Sequence, residues 1–253
     1  MSTKRPAWIR LTSAVSAPVV LFLITMFPNP YVFGIGLSLW FGFFLLLQFK
    51  YHVPRHQTAL NFMTVLSFLT LILLVETVWL RWFFVVVSTV VFFFIAYWSE
   101  PRLEHAIHIK EKPLRRMMMM LYVFNVYALF VGLFALYLYF PRFPFAFLSI
   151  AGGAYAGLGA FMIWSLYFKF TADKLFVWTL IVVLCVVELM WVMRLLPFGY
   201  LALGFLLVWI WYMMQLFARF HLSSKGIVWR NQLGFLITNG ILFILMLYII
   251  RWI

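Results

Sequence analysis

Leu175-Phe176-Val177-Trp178-Thr179-Leu180-Ile181-Val182-Val183-Leu184-Cys185-Val186-Val187-Glu188-Leu189-Met190-Trp191-Val192-Met193-Arg194-Leu195 contains one acid near its end and one base beyond it. The run is continuously apolar rather than alternating, and it is long enough to cross about 30 Å of hydrocarbon as a helix. About nine such runs, of 17 to 25 residues, follow one another along the chain. At about 20 residues each they use roughly 180 positions, and the longest connection left, 99–116, is too short for a folded soluble domain. Hydrophobic residues make up 67% of the 253 and charged residues 10%. This predicts an all-α integral membrane protein of about nine transmembrane helices, and continuous runs exclude an outer-membrane barrel.

A net charge of +13 would suggest nucleic acid in a soluble protein, but its placement points elsewhere. Counted about nine spans, 15 Lys and Arg fall on the side holding the N-terminus, and four on the other: Arg81, Arg142, Arg194 and Arg251. That positive-inside bias predicts a cytoplasmic N-terminus and an external C-terminus in the plasma (cytoplasmic) membrane. The partners expected are the lipid bilayer, anionic lipids at the cytoplasmic face, and a membrane protein or a second copy, with no nucleic acid. Cys185 is the only cysteine, which rules out an intrachain disulfide and a thiolate metal cluster, and no cofactor is expected. Lys4-Arg5 before an apolar run imitates a signal peptide, but no small-residue cleavage pattern follows, so the run reads as a retained first helix.

In order, spans are expected at 11–27, 31–49, 60–80, 82–98, 117–140, 145–168, 175–195, 198–217 and 233–250. Pro28-Asn29-Pro30 and Pro141-Arg142-Phe143-Pro144 are turns through which no helix continues. Gly34, Ser38 and Gly42 recur every four residues, and Gly153 and Gly157 belong to a dense small-residue surface, both suited to close helix packing. Asn61, Thr64, Ser67 and Thr70 lie three apart, a spacing that drifts round a helix, and some of the Ser and Thr hydroxyls are expected to bond back to their own helix.

Two halves can be laid over one another. Val75-Glu76 with Trp79 matches Val187-Glu188 with Trp191, and Phe27-Pro28 matches Phe140-Pro141. Phe49-Lys50-Tyr51 matches Phe168-Lys169-Phe170, with offsets of 112 to 119 throughout. The organisation expected is a 4+4 parallel repeat plus one C-terminal helix. Its parts are a first half over 1–98, a cytoplasmic connector over 99–116, a second half over 117–219, and a loop with the ninth helix over 220–253.

A carboxylate inside a span must pair, find water or take up a proton, so Glu76 and Glu188 are the candidates for an ion or proton site. Arg81 and Arg194, five and six residues on, are within reach as structural partners. Trp79 and Trp191 read as interfacial belt residues. In the connector, Glu100, Glu104 and His108 would share one helical face at i, i+4 and i+8, with His105 beside them. That is a thin ligand set for a metal, because no second helix offers matching groups, and no metal site is expected. All five histidines lie in connections, no span carries a lysine for a Schiff base, and no nucleophile elbow or phosphate loop is present.

Three functional classes compete. A small-solute or ion transporter or channel is favoured by the repeat and the paired intramembrane acids, but few polar residues line the spans. A structural or assembly subunit of a membrane complex suits the 22% aromatic content and the small-residue faces. A lipid-modifying membrane enzyme stands third, since only the connector resembles an acid/base set.

Overall fold

The computed structural model describes residues 7–51, 55–98, 112–167, 172–222 and 229–249. Among them the chain is all α-helix, with no strand. The helices are α1 (Ala7–Met26), α2 (Pro30–Tyr51), α3 (Arg55–Leu74), α4 (Val78–Trp98) and α5 (Lys112–Tyr139). They continue with α6 (Phe145–Tyr167), α7 (Ala172–Met193), α8 (Tyr200–Leu222) and α9 (Trp229–Ile249). Seven are long and apolar enough to cross a membrane, while α3 and α9 carry shorter apolar stretches, Thr58–Leu74 and Leu233–Tyr248. The chain is therefore a multi-pass helical membrane protein.

Most helices depart from their expected boundaries by a few residues: α1, α4 and α9 start four residues early and α8 ends five residues late, while α3 and α5 show the shifts that bear on the site. α3 begins and ends earlier than 60–80, stopping at Leu74 and leaving residues 75–77 as a non-helical turn. α5 begins at Lys112 rather than 117. Its 28 residues span about 42 Å at 1.5 Å per residue, more than the hydrocarbon thickness. Hydropathy marks where a helix leaves the apolar layer, not where its backbone stops being helical.

The chain forms two compact units, Met1–Leu121 and Tyr122–Ile253, divided within α5. In the first, α1 buries Ala14, Ala17, Leu21 and Ile24, and α4 buries Val85, Ser88, Phe92 and Ile95. Both sets follow the 3-4-3 spacing of a helix seam, and the two helices pack along one another. Phe22, late in α1, meets Trp82, early in α4, with ring centroids 5.5 Å apart, so they run antiparallel. α2 starts after Asn29, whose Oδ1 accepts the Tyr31 N–H at 2.9 Å, with Pro30 in the first helical position.

α3 is the most polar helix of this unit and also a heavily buried one. Thr58, Asn61, Thr64 and Ser67 are all buried, as are Leu60, Met63, Val65, Phe68, Leu69, Leu71 and Ile72. A spacing that drifts round the helix can be buried at every step only if neighbours cover a wide arc of it. Thr64 and Ser67 donate to the carbonyls four residues back at 2.7 Å, which satisfies the hydroxyl hydrogens within their own helix.

The second unit is held by backbones in near contact. A Cβ on Gly153 would lie 2.7 Å from Val187 Cγ2 and 2.9 Å from the Val183 carbonyl oxygen, so only glycine lets α7 approach α6 this closely. On Gly204 of α8 a Cβ would lie 2.9 Å from the Val131 amide nitrogen of α5. Two indoles then tie α6 to α8 in both directions. Trp164 of α6 donates Nε1–H to the Gln215 carbonyl at 3.1 Å, and Trp211 of α8 donates to the Ala156 carbonyl at 3.2 Å. In the described part of α9, 233–248, every residue is exposed or half-buried.

Candidate functional site

Three places gather the residues that could act outside the fold itself. The first is the turn between α3 and α4. Here the chain leaves the helix at Val75, so Glu76 lies in the turn and not within a span as the sequence suggested, and it is exposed together with Thr77. Arg81, in the first turn of α4, donates Nε–H to the Val75 carbonyl at 2.5 Å. Its guanidinium thus satisfies one of the carbonyls that the end of α3 leaves open. No ion pair between Glu76 and Arg81 is formed among the described residues. Trp79 is 71% exposed, as a belt residue would be.

The second place is the end of α7. Glu188 is exposed on the helix surface, five residues before the last helical residue, Met193. Arg194 turns to aromatic rings instead of to the acid. Its guanidinium carbon lies 4.1 Å from the centre of the Trp191 ring and 5.0 Å from that of Phe145. The two rings meet edge to face at 5.3 Å. The cation therefore sits against ring faces, whose negative quadrupole attracts it. The structure brings Trp191 and Arg194 together and adds Phe145 of α6, while Glu188 stands outside the cluster.

The third place lies on α2. Gly34 and Gly42 have no described atom within 4 Å of where a Cβ would be, so this small-residue face is open, unlike that of Gly153 and Gly157. Beside it, Ser38 and Gly42 with Trp40, Phe41, Phe62 and Leu66 line a groove of about 410 Å³ between α2 and α3. Its wall is an aromatic cluster: Phe62 meets Trp40 at 5.3 Å, Phe41 at 4.8 Å and Phe44 at 5.6 Å. Trp40 is fixed from behind, its Nε1–H donating to Ser16 Oγ of α1 at 3.3 Å.

Polar groups also lie inside both units. Ser88 joins the buried polar set of α3 in the first, and Asn125, Ser149 and Gln215 are buried in the second. The Gln215 side chain is enclosed with neither amide atom hydrogen-bonded to protein. No group of three or more His, Cys, Asp or Glu is placed to hold a metal among the described residues. Glu100, Glu104, His105 and His108 lie outside the described residues.

The sequence alone did not reveal the indole ties of Trp164 and Trp211 or the enclosed side chain of Gln215. For Trp211 the signal was available: a tryptophan in mid-span is out of place in an interfacial belt and needs a partner for its N–H, whereas Trp164, three residues from the end of α6, stands where a belt residue would. Comparison with protein-family models, with curated proteins and with solved structures found no match.

Proposed function

We propose that this chain is a structural or assembly subunit of a membrane protein complex, lying in the plasma membrane with its N-terminus cytoplasmic and its C-terminus outside. The orientation rests on the 15 to 4 division of Lys and Arg between the two sides. The assembly reading is carried by one observation. The Gly34-Ser38-Gly42 face of α2 has the composition of a tight helix interface, yet no atom of the described residues lies within 4 Å of where a Cβ on Gly34 or Gly42 would be. A backbone cleared of side chains in lipid gains little unless another helix comes close, because lipid tails pack as well against leucine as against glycine. The apolar groove beside that face extends the surface on which such a helix would lie.

The test is purification of the full chain from its native membranes in mild detergent, beside the double variant Gly34→Leu/Gly42→Leu. The wild type is expected to carry a stoichiometric membrane partner that the variant loses without any fall in melting temperature. A wild-type chain that runs alone, or a variant that keeps its partner, removes the reading.

A second reading, a small-solute or ion transporter or channel built as a 4+4 repeat with paired acids, is supported by the buried polar residues Thr58, Asn61, Thr64 and Ser67 of α3 with Ser88 of α4. In proteoliposomes it predicts proton- or cation-coupled flux that Glu76→Gln or Glu188→Gln abolishes. Absence of flux from the wild type discards it.

A further inference from the structure

The outward face of α7 carries an ordered pattern that the fold leaves uncovered. Ile181 and Leu184 of α7 are exposed large apolar side chains, Glu188 is exposed after them, and Trp191, with its ring against Phe145 and Arg194, remains 39% exposed beyond it. The spacing of these four positions, 3, 4 and 3, is that of a helix-pairing seam, with the acid at the third position. The opposite face of the same helix is fully used, through Val182, Val186, Met190 and Met193.

Depth makes the acid informative. The apolar stretch of α7, Leu175–Met193, covers 19 residues, or about 28 Å, close to the thickness of the hydrocarbon layer. Glu188 stands five residues from its end, which places its Cα about 7 Å below that boundary. Lysine and arginine have stems long enough to carry their charge back over such a distance, and glutamate does not. Arg194, the next basic residue along the chain and just past the end of α7, is held over Trp191 and Phe145. The carboxylate thus faces hydrocarbon without a cation from its own helix.

We infer that this seam receives a transmembrane helix of a second protein carrying a lysine or arginine at the depth of Glu188. Charge complementarity selects this occupant over a second copy. In a two-fold parallel pairing, equivalent seam positions face one another, so Glu188 would meet Glu188. A lipid tail offers no counter-charge. One charged position in an apolar seam fixes the register of the two helices and rejects partners that lack the matching charge. The inference rests on the assembly reading above and adds the surface and the chemistry of the partner to it.

The experiment places a photo-crosslinking side chain at Leu184 in the full chain in native membranes, alone and combined with Glu188→Gln, Glu188→Leu and Glu188→Asp. The expected product is one adduct with a protein whose crosslinked span contains Lys or Arg. Its yield should fall at least about tenfold in the Gln and Leu variants, and persist with Asp. Melting curves in detergent should be unchanged by Glu188→Gln, since the residue is exposed. Four results overturn the inference: an adduct of twice the chain's mass, adducts with lipid only, a partner span without a cation, or a yield indifferent to Glu188. If a stoichiometric partner still co-purifies in any of these cases, the assembly reading stands and only its placement on α7 fails.

Discussion

Replacing Gly204 by alanine adds one methyl group, and the structure says where it goes. The new Cβ would sit 2.6 Å from Val131 Cγ2 and 2.9 Å from the Val131 amide nitrogen. The methyl of Val131 could turn aside, but its backbone nitrogen cannot, so α8 must retreat from α5 by about 0.5 Å to reach ordinary contact. Overpacking of this kind costs about 1–3 kcal/mol, against which alanine recovers about 0.8–1 kcal/mol of helix propensity. Gly42→Ala on α2 makes the same chemical change with nothing within 4 Å, so only the propensity gain remains. The difference between the two variants isolates the packing term, about 1–3 kcal/mol. At roughly 2–4 °C per kcal/mol for a chain of this size, Gly204→Ala should melt about 2–12 °C below Gly42→Ala. Gly153→Ala should side with Gly204→Ala, because it meets the Val183 carbonyl at 2.9 Å. Gly157→Ala should be milder, since the nearest backbone atom it meets is 3.5 Å away. Thermal unfolding in one detergent, followed by near-UV circular dichroism, measures all four. Superimposable melts for Gly204→Ala and Gly42→Ala would refute the argument that backbone proximity holds the second unit together.

Two further outcomes separate bonds from proximity in sequence. In a double-mutant cycle of Glu76→Gln with Arg81→Ala, the arginine change should lower stability by about 1 kcal/mol, through loss of its bond to the Val75 carbonyl. The coupling with Glu76 should stay within about 0.3–0.5 kcal/mol of zero, and a larger value would mean that acid and base pair after all. Trp211→Phe and Trp164→Phe each remove one buried indole donor, whose loss costs about 1–2 kcal/mol and is read as a fall in melting temperature. If phenylalanine is tolerated at both positions without any fall, the indoles act by size alone.

Much of the architecture could be read from composition, because a span in lipid has to satisfy every backbone group internally and so announces itself as a long apolar run. The end of α3 could not. Leu74-Val75-Glu76-Thr77-Val78 holds no glycine or proline to mark a break, and the turn there is closed by Arg81 reaching back to the Val75 carbonyl. Val75-Glu76-Thr77-Val78-Trp79 and Val187-Glu188-Leu189-Met190-Trp191 look alike as strings, yet one is a turn entering α4 and the other is continuous helix. Gly34-Ser38-Gly42 and Gly153-Gly157 likewise share one spacing rule. A single sequence shows that backbones can approach at such positions, while only the folded chain shows that α7 fills one face and that no described helix fills the other. Glu188 was recognisable as an acid in a span, but its outward direction came from which side of α7 the glycines of α6 engage.

The two indole bonds between α6 and α8 bear on motion as well as on stability. A single bond between parallel rods lets one slide or pivot about it. Two bonds 3.1 and 3.2 Å long, one donor on each helix and displaced along the axis, resist both movements. Sliding α8 by even one residue, a 1.5 Å rise, would stretch both beyond hydrogen-bonding range or bend them. Shear, by which packed helices often shift past one another, is therefore blocked at this pair. Any rearrangement in the second unit must carry α6 and α8 together. The freedom left to it lies with α9, whose outer helix is the piece that a neighbouring protein could displace without breaking either tie.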